Sequence, residues 1–168
     1  MLLVGSRAAH ARGHLPTWRR GRMVDHDIQA TELEIQNVYE LWGPNDYRHT
    51  PLGVDMIKDG EVFCFRYPSN ITQVLLECSD NLLIEHHGLS VLAISLESQL
   101  ALKLGYVRMC HHHYDKNWAD ISEWIEKTEG LKTEHVKVFD EMWSRAFELF
   151  KGPEKSGNER TIVNLLSR

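Results

Sequence analysis

Apolar and polar positions along this chain mix the period of two with helical spacing in the first half and become helical throughout in the second. Met1 to Val4 is a short apolar run that stops at Gly5-Ser6, and the Ala-rich segment from Arg7 to Arg12 suits the first turns of a helix. The reading there is strand, tight turn, helix. Gly13 to Gly21, with Pro16 inside it, reads as a loop that carries Trp18 and the Arg19-Arg20 pair. From Met23 to Ala30 the residues alternate, with Val24, His26 and Ile28 on one side and Asp25, Asp27 and Gln29 on the other, which is the period of a strand. Thr31 can cap a helix with Glu34 three residues on, and Ile35, Val38, Leu41 and Trp42 recur at helical spacing until Gly43-Pro44 ends it.

Val54 to Ile57 and Glu61 to Tyr67 flank Lys58-Asp59-Gly60, where Asp-Gly supplies the turn chemistry of a β-hairpin. Gln73 to Cys78 and Leu89 to Ile94 are further β-rich runs, and His86-His87 before Gly88 reads as a turn. From Leu96 the pattern becomes helical: Leu96, Leu100, Lys103 and Leu104, then Trp118, Ile121 and Ile125, then Val138, Phe139, Met142, Trp143, Ala146 and Phe150. The polar stretch after Lys151, closed by a weak apolar end at Ile162 to Leu166, reads as a tail. The expected organisation is an α+β fold, a mixed sheet flanked by helices over residues 1–95. A C-terminal helical region over 96–150 packs on that core, and 151–168 form the tail.

A chain of 168 residues with 42% hydrophobic content can bury a core, and one compact domain with short appendages is the expectation. The net charge of -5 argues against indiscriminate coating of nucleic acid, but it hides an asymmetry. Residues 1–22 hold Arg7, Arg12, Arg19, Arg20 and Arg22 and no acid, so those five charges leave -10 for the remainder. One end of the chain can therefore attract phosphate locally. Cys64, Cys78 and Cys110 are odd in number and widely spaced, as expected of reduced thiols in a cytoplasmic protein. Apolar runs such as Leu89 to Leu96 fall well short of the roughly 18–20 residues that span a bilayer.

Residues two apart on a strand share a face, so Asp25 and Asp27 present two carboxylates side by side. Two carboxylates held that close repel unless a cation sits between them. Mg²⁺ suits such a site because it takes oxygen ligands and keeps waters that substrate phosphates can replace. Upstream, Gly5-Ser6 at a strand-to-helix turn offers backbone N–H groups to phosphate. A carboxylate at Glu77 would be costly to bury unpaired within its apolar run, which favours a ligand role. The run His111-His112-His113 reads as a polar helix end or linker, because adjacent helical residues point about 100° apart and cannot converge on one ion. Trp18 is the aromatic best placed to stack on a base, and Trp118, Trp124 and Trp143 read as core.

These residues resemble the nucleotidyltransferase superfamily related in its core to polymerase β. The family pattern is an apolar strand ending in Gly-Ser, a helix, then two acids alternating on a strand, and a third acid on a later neighbouring strand. Here those are Leu2-Leu3-Val4-Gly5-Ser6, Val24-Asp25-His26-Asp27-Ile28 and, as candidate for the third acid, Glu77 in Val74-Leu75-Leu76-Glu77-Cys78. Lys103, in Leu96 to Leu104, matches a family lysine that faces the triphosphate. His26 stands where the family carries an apolar or aromatic residue, and the gap from Ser6 to Asp25 is longer than the family's.

The resemblance implies transfer of a nucleoside monophosphate from a triphosphate such as ATP onto an acceptor hydroxyl, with Mg²⁺ or Mn²⁺ as cofactor. Asp25, Asp27 and Glu77 would be the catalytic metal ligands in a two-metal mechanism. Gly5 and Ser6 would hold the phosphates, with Arg7, Arg19, Arg20 and Lys103 adding charge-assisted bonds. The acceptor expected is RNA, a nucleotide, a protein or a small molecule, and no membrane is involved. Similar compact proteins occur in bacteriophage genomes, which makes a viral source and a host cytoplasm compatible with the resemblance. The alternative is a catalytically silent nucleotide- or RNA-binding module of the same fold.

Overall fold

The structure is a computed structural model. It describes residues 1–78, 80–108, 114–128, 131, 133, 135–138 and 140. Two compact units divide the chain, Met1–Ser95 and Leu96–Arg168.

The first unit is built on a seven-stranded mixed sheet. In chain order its strands are β1 (Leu2–Val4), β2 (Asp25–Gln29), β3 (Asp46–Thr50), β4 (Gly53–Lys58), β5 (Glu61–Arg66), β6 (Leu82–His86) and β7 (Leu89–Ala93), and across the sheet they lie β3-β4-β5-β2-β1-β7-β6. β1 runs antiparallel to β2 and parallel to β7, while β2 runs parallel to β5. Helix α1 (Gly5–Ala11) begins at once after β1, α2 (Glu32–Trp42) follows β2, and α3 (Asn70–Glu77) follows β5. The fold is α+β, as the periodicity implies.

The central strands are interior because their apolar positions are. Leu2, Leu3, Ile28, Phe63 and Phe65 are all essentially inaccessible. α2 starts on a complete capping box: the Thr31 hydroxyl accepts from the Glu34 N–H while the Glu34 carboxylate accepts from the Thr31 N–H at 2.7 Å. Its stripe of Ile35 and Val38 is buried, and Trp42 meets Phe63 edge-on at 4.7 Å between centroids. The hairpin at Asp59-Gly60 forms as its turn chemistry predicts, with both residues at positive φ.

Two local readings are corrected, and one strand was not expected. Gln73 to Cys78, expected as a strand, lies in α3 and its cap. Ser69 and Thr72 form a reciprocal cap at its start, and Ile71, Thr72 and Leu75 bury one face at helical spacing. The apolar run from Val74 to Leu76 is too short to distinguish a buried helix turn from a strand. β3, with the sequence Asp-Tyr-Arg-His-Thr, is a polar edge strand that carries no apolar alternation to betray it. His86 ends strand β6, so the turn is confined to His87 and Gly88.

The second unit holds α4 (Leu96–Arg108) and α5 (Tyr114–Trp124), so the C-terminal part is helical where it is described. Leu100, Leu104, Ile121 and Trp124 are buried. The run His111 to His113, Cys110, Trp143 and the tail at 151–168 lie outside the described residues. Among the described residues no helix is long and apolar enough to cross a membrane.

Candidate functional site

β2 alternates as a strand must, with His26 and Ile28 buried on one face and Asp25, Asp27 and Gln29 partly open on the other. The two carboxylates therefore share a face. Gly5 lies directly against them: a Cβ built there would come within 2.9 Å of an Asp27 carboxylate oxygen, and its φ of +70° is one that side chains rarely adopt. The glycine at the end of β1 is thus required by close approach as well as by the turn. Ser6 follows in the first turn of α1, partly exposed.

The strand beside β2 is β5, and Cys64 is the residue directly opposite Asp27. Asp55 on β4 is opposite Cys64 in turn, so Asp27, Cys64 and Asp55 form a row across three strands on one face. Ligand atoms of Asp25, Asp27 and Cys64 lie within 4.8 Å of one another. Burial pushes the Cys64 thiol up to about 12, the Asp55, Asp27 and Asp25 carboxylates adding to the rise and Arg66 opposing it. It is a neutral thiol at any physiological pH. Asp55 itself is taken up by Arg66, with 2.7 Å between oxygen and nitrogen.

Glu77, expected as the third acid on a neighbouring strand, is instead the exposed last residue of α3. The two-acid pair is in place and the position beside it carries sulfur. Sequence reasoning passed over Cys64 because the segment expected to carry the third acid is helical, and a cysteine in an apolar strand reads as core. The signal that could have found it was the pairing of β5 with β2.

Each expected cationic group has surroundings of its own. Arg7 donates to Glu61 at 3.1 Å. Arg19 is 6% exposed and its guanidinium lies 4.9 Å from the centroid of the Trp18 ring, so it covers one face of the aromatic expected to stack on a base. Arg20 is exposed and lines a cleft of about 400 Å³ with His10, Gly13, Leu15, Gly21 and Met23. In the second unit Lys103 donates to Asn117 at 2.8 Å and pairs with the buried Asp120 at 3.2 Å. Another cleft, of about 380 Å³, lies between α2 and the β3–β4 hairpin and includes neither Asp25 nor Asp27.

No protein-family model matches the sequence, and no curated protein resembles it closely enough to be recognised by sequence. Among solved structures, the chain is similar to an antigenic nucleotidyltransferase-like protein from Paracoccidioides brasiliensis, with a TM-score of 0.52 and 12% identity over 98% of this chain and 84% of that one. The fold is therefore nucleotidyltransferase-like. Paired acids on β2 stand in that fold together with Gly5-Ser6 after β1.

Proposed function

We propose that this chain is a metal-dependent nucleotidyltransferase that moves a nucleoside monophosphate from a triphosphate to an acceptor hydroxyl. The observation that carries the reading is the pair Asp25 and Asp27 on one face of β2, with the Gly5 backbone pressed against Asp27 in a nucleotidyltransferase-like fold.

The donor set fits a hard dication at the two carboxylates, because Mg²⁺ and Mn²⁺ favour oxygen, whereas a neutral thiol at Cys64 adds nothing for them. When bound, such ions activate the attacking oxygen and neutralise charge on the leaving phosphates. Asp25 and Asp27 would hold the metal, and Gly5 and Ser6 would receive the triphosphate beside it. Arg20 is an exposed cation of the basic loop and would attract the donor at long range. Arg7, Arg19 and Lys103 are candidates for phosphate contacts on sequence grounds; in the structure each has a protein partner that a phosphate would have to replace. The acceptor would be RNA, a nucleotide, a protein or a small molecule, in a compartment that keeps Cys64 reduced.

A second reading, a silent nucleotide-binding module, draws support from the same Cys64. Without a third carboxylate the position that would activate the acceptor hydroxyl has one anionic ligand fewer. Incubation with each labelled triphosphate, Mg²⁺ or Mn²⁺ and an extract of RNA and metabolites distinguishes the two. Transfer of label that is reduced at least about 100-fold in Asp27→Asn, a typical scale for losing one charge-stabilising group, supports the enzyme. Triphosphate binding with no transfer supports the module, and neither binding nor transfer overturns both.

A further inference from the structure

On the face of β2 opposite the two aspartates, His26 is completely buried and stacks on Phe63 at 4.1 Å between ring centroids. A histidine facing a core usually satisfies both ring nitrogens. Here Nδ1 lies 2.8 Å from His86 Nε2, but Nε2 is buried without a well-formed hydrogen bond, the Glu61 oxygen being 3.4 Å away. The turn between β6 and β7 adds His87, whose Nε2 is 3.5 Å from the other Glu61 oxygen. Ligand nitrogens of the three imidazoles lie within 4.8 Å of one another. Three imidazoles from β2, β6 and the β6–β7 turn thus cluster, and the Glu61 carboxylate on β5 borders them on the Nε2 side of His26.

The β6–β7 turn sets the position of the third imidazole. His87 has φ +51° and is followed by Gly88 at +77°, a two-residue turn with both central residues in the left-handed region. Asn, Asp and His are the non-glycine residues that tolerate this region best. The turn so formed presents the side chain that reaches Glu61.

We propose that His26, His86 and His87, with Glu61, form a binding site for a Zn²⁺-class transition metal that ties the β6–β7 hairpin to β2 and β5. Nitrogen donors in this number select zinc over magnesium, and zinc takes four ligands in a tetrahedron with Zn–N near 2.0–2.1 Å. Seating the ion widens the 2.8 Å contact between His26 and His86 by a few tenths of an ångström and draws His87 inward. Arg7 is the cation that faces the cluster. It bonds Glu61 Oε1, the oxygen 3.4 Å from His26, and Oε2 lies 3.5 Å from His87. The site is separate from the aspartate pair and does not rest on the nucleotidyl-transfer reading.

The test uses the full chain, stripped with chelator, in a background where His111, His112 and His113 are changed to Gln so that this run cannot bind metal. Zn²⁺ is titrated by calorimetry and Co²⁺ by its visible absorption, which reports a four-coordinate site. One equivalent of Zn²⁺, retained in Asp25→Asn/Asp27→Asn and weakened at least about tenfold in His87→Asn, is the expected result, since even outer-shell partners of a metal cost that much. His87→Asn suits the left-handed turn and keeps the fold. Zn²⁺ should also raise the melting temperature of the parent and not of His86→Ala/His87→Asn. Undiminished binding in both histidine variants, loss of binding in the aspartate variant alone, or no binding by the parent overturns the proposal.

Discussion

Asp27 on β2 and Cys64 on β5 are direct cross-strand neighbours, and this pair fixes what the acidic face can do. A metal at the proposed site would have the carboxylates of Asp25 and Asp27, and the buried thiol beside them would add no negative charge. Supplying that charge by Cys64→Asp should lower the melting temperature of the metal-free protein, because a third carboxylate joins two others. Millimolar Mg²⁺ should recover more of the loss than it adds to the parent. Thermal melts of both proteins with and without Mg²⁺ check this; equal Mg²⁺ shifts would show that Cys64 lies outside the metal's reach.

Gly5→Ala tests the close approach on which the aspartate geometry depends. The added methyl would meet the Asp27 carboxylate at 2.9 Å and force φ +70° on a side-chain-bearing residue. A destabilisation of about 1–3 kcal/mol is expected from the backbone alone, read by urea denaturation. Divalent-metal affinity should fall as well, whereas Gly13→Ala, with open space around its Cβ, should leave that affinity unchanged.

The imidazole cluster gives the metal-free protein a pH dependence of definite sign. His26 and His86 both titrate near 4 when folded, against the ordinary imidazole value of 6.5 when unfolded, so the unfolded chain binds more protons between those values. Stability is complete above about 6.5 and falls as pH drops toward 4. Glu61, whose carboxyl is held below its usual range although burial opposes this, the nearby His26, His87 and Arg7 prevailing, adds loss of the same sign at lower pH. Urea midpoints in chelator should decline through that window, and His86→Ala should flatten the decline; a flat parent profile would contradict the burial of the pair.

Lys103 separates two roles. Paired with Asp120, which is 1% exposed, it offsets a buried charge, so Lys103→Met should destabilise by about 3–5 kcal/mol and Lys103→Met/Asp120→Asn by much less. A triphosphate ligand would show the reverse: reduced nucleotide affinity at unchanged stability.

Much of the fold was legible because its signals are local and redundant. The alternation from Val24 to Ile28, the Thr31–Glu34 cap and the Asp59-Gly60 turn each carry their own chemistry, and the structure realises each of them. β3 was silent because its residues are almost all exposed and carry no apolar alternation, and α3 was misread because an apolar run of three suits either period. The aspartate pair is visible from spacing alone. Cys64, Glu61 and the three imidazoles are not, because strand order and a hairpin bring them together and neither is written in any single segment.

The thiol at Cys64 also bears on how long this site lasts. With its pKa pushed well above the ordinary thiol value by burial, the sulfur carries very little thiolate at pH 7. Peroxide and alkylating agents react with the thiolate, so the sulfur is shielded by its own protonation as well as by burial. The sulfur beside the aspartates is therefore expected to resist oxidation better than an exposed cysteine would.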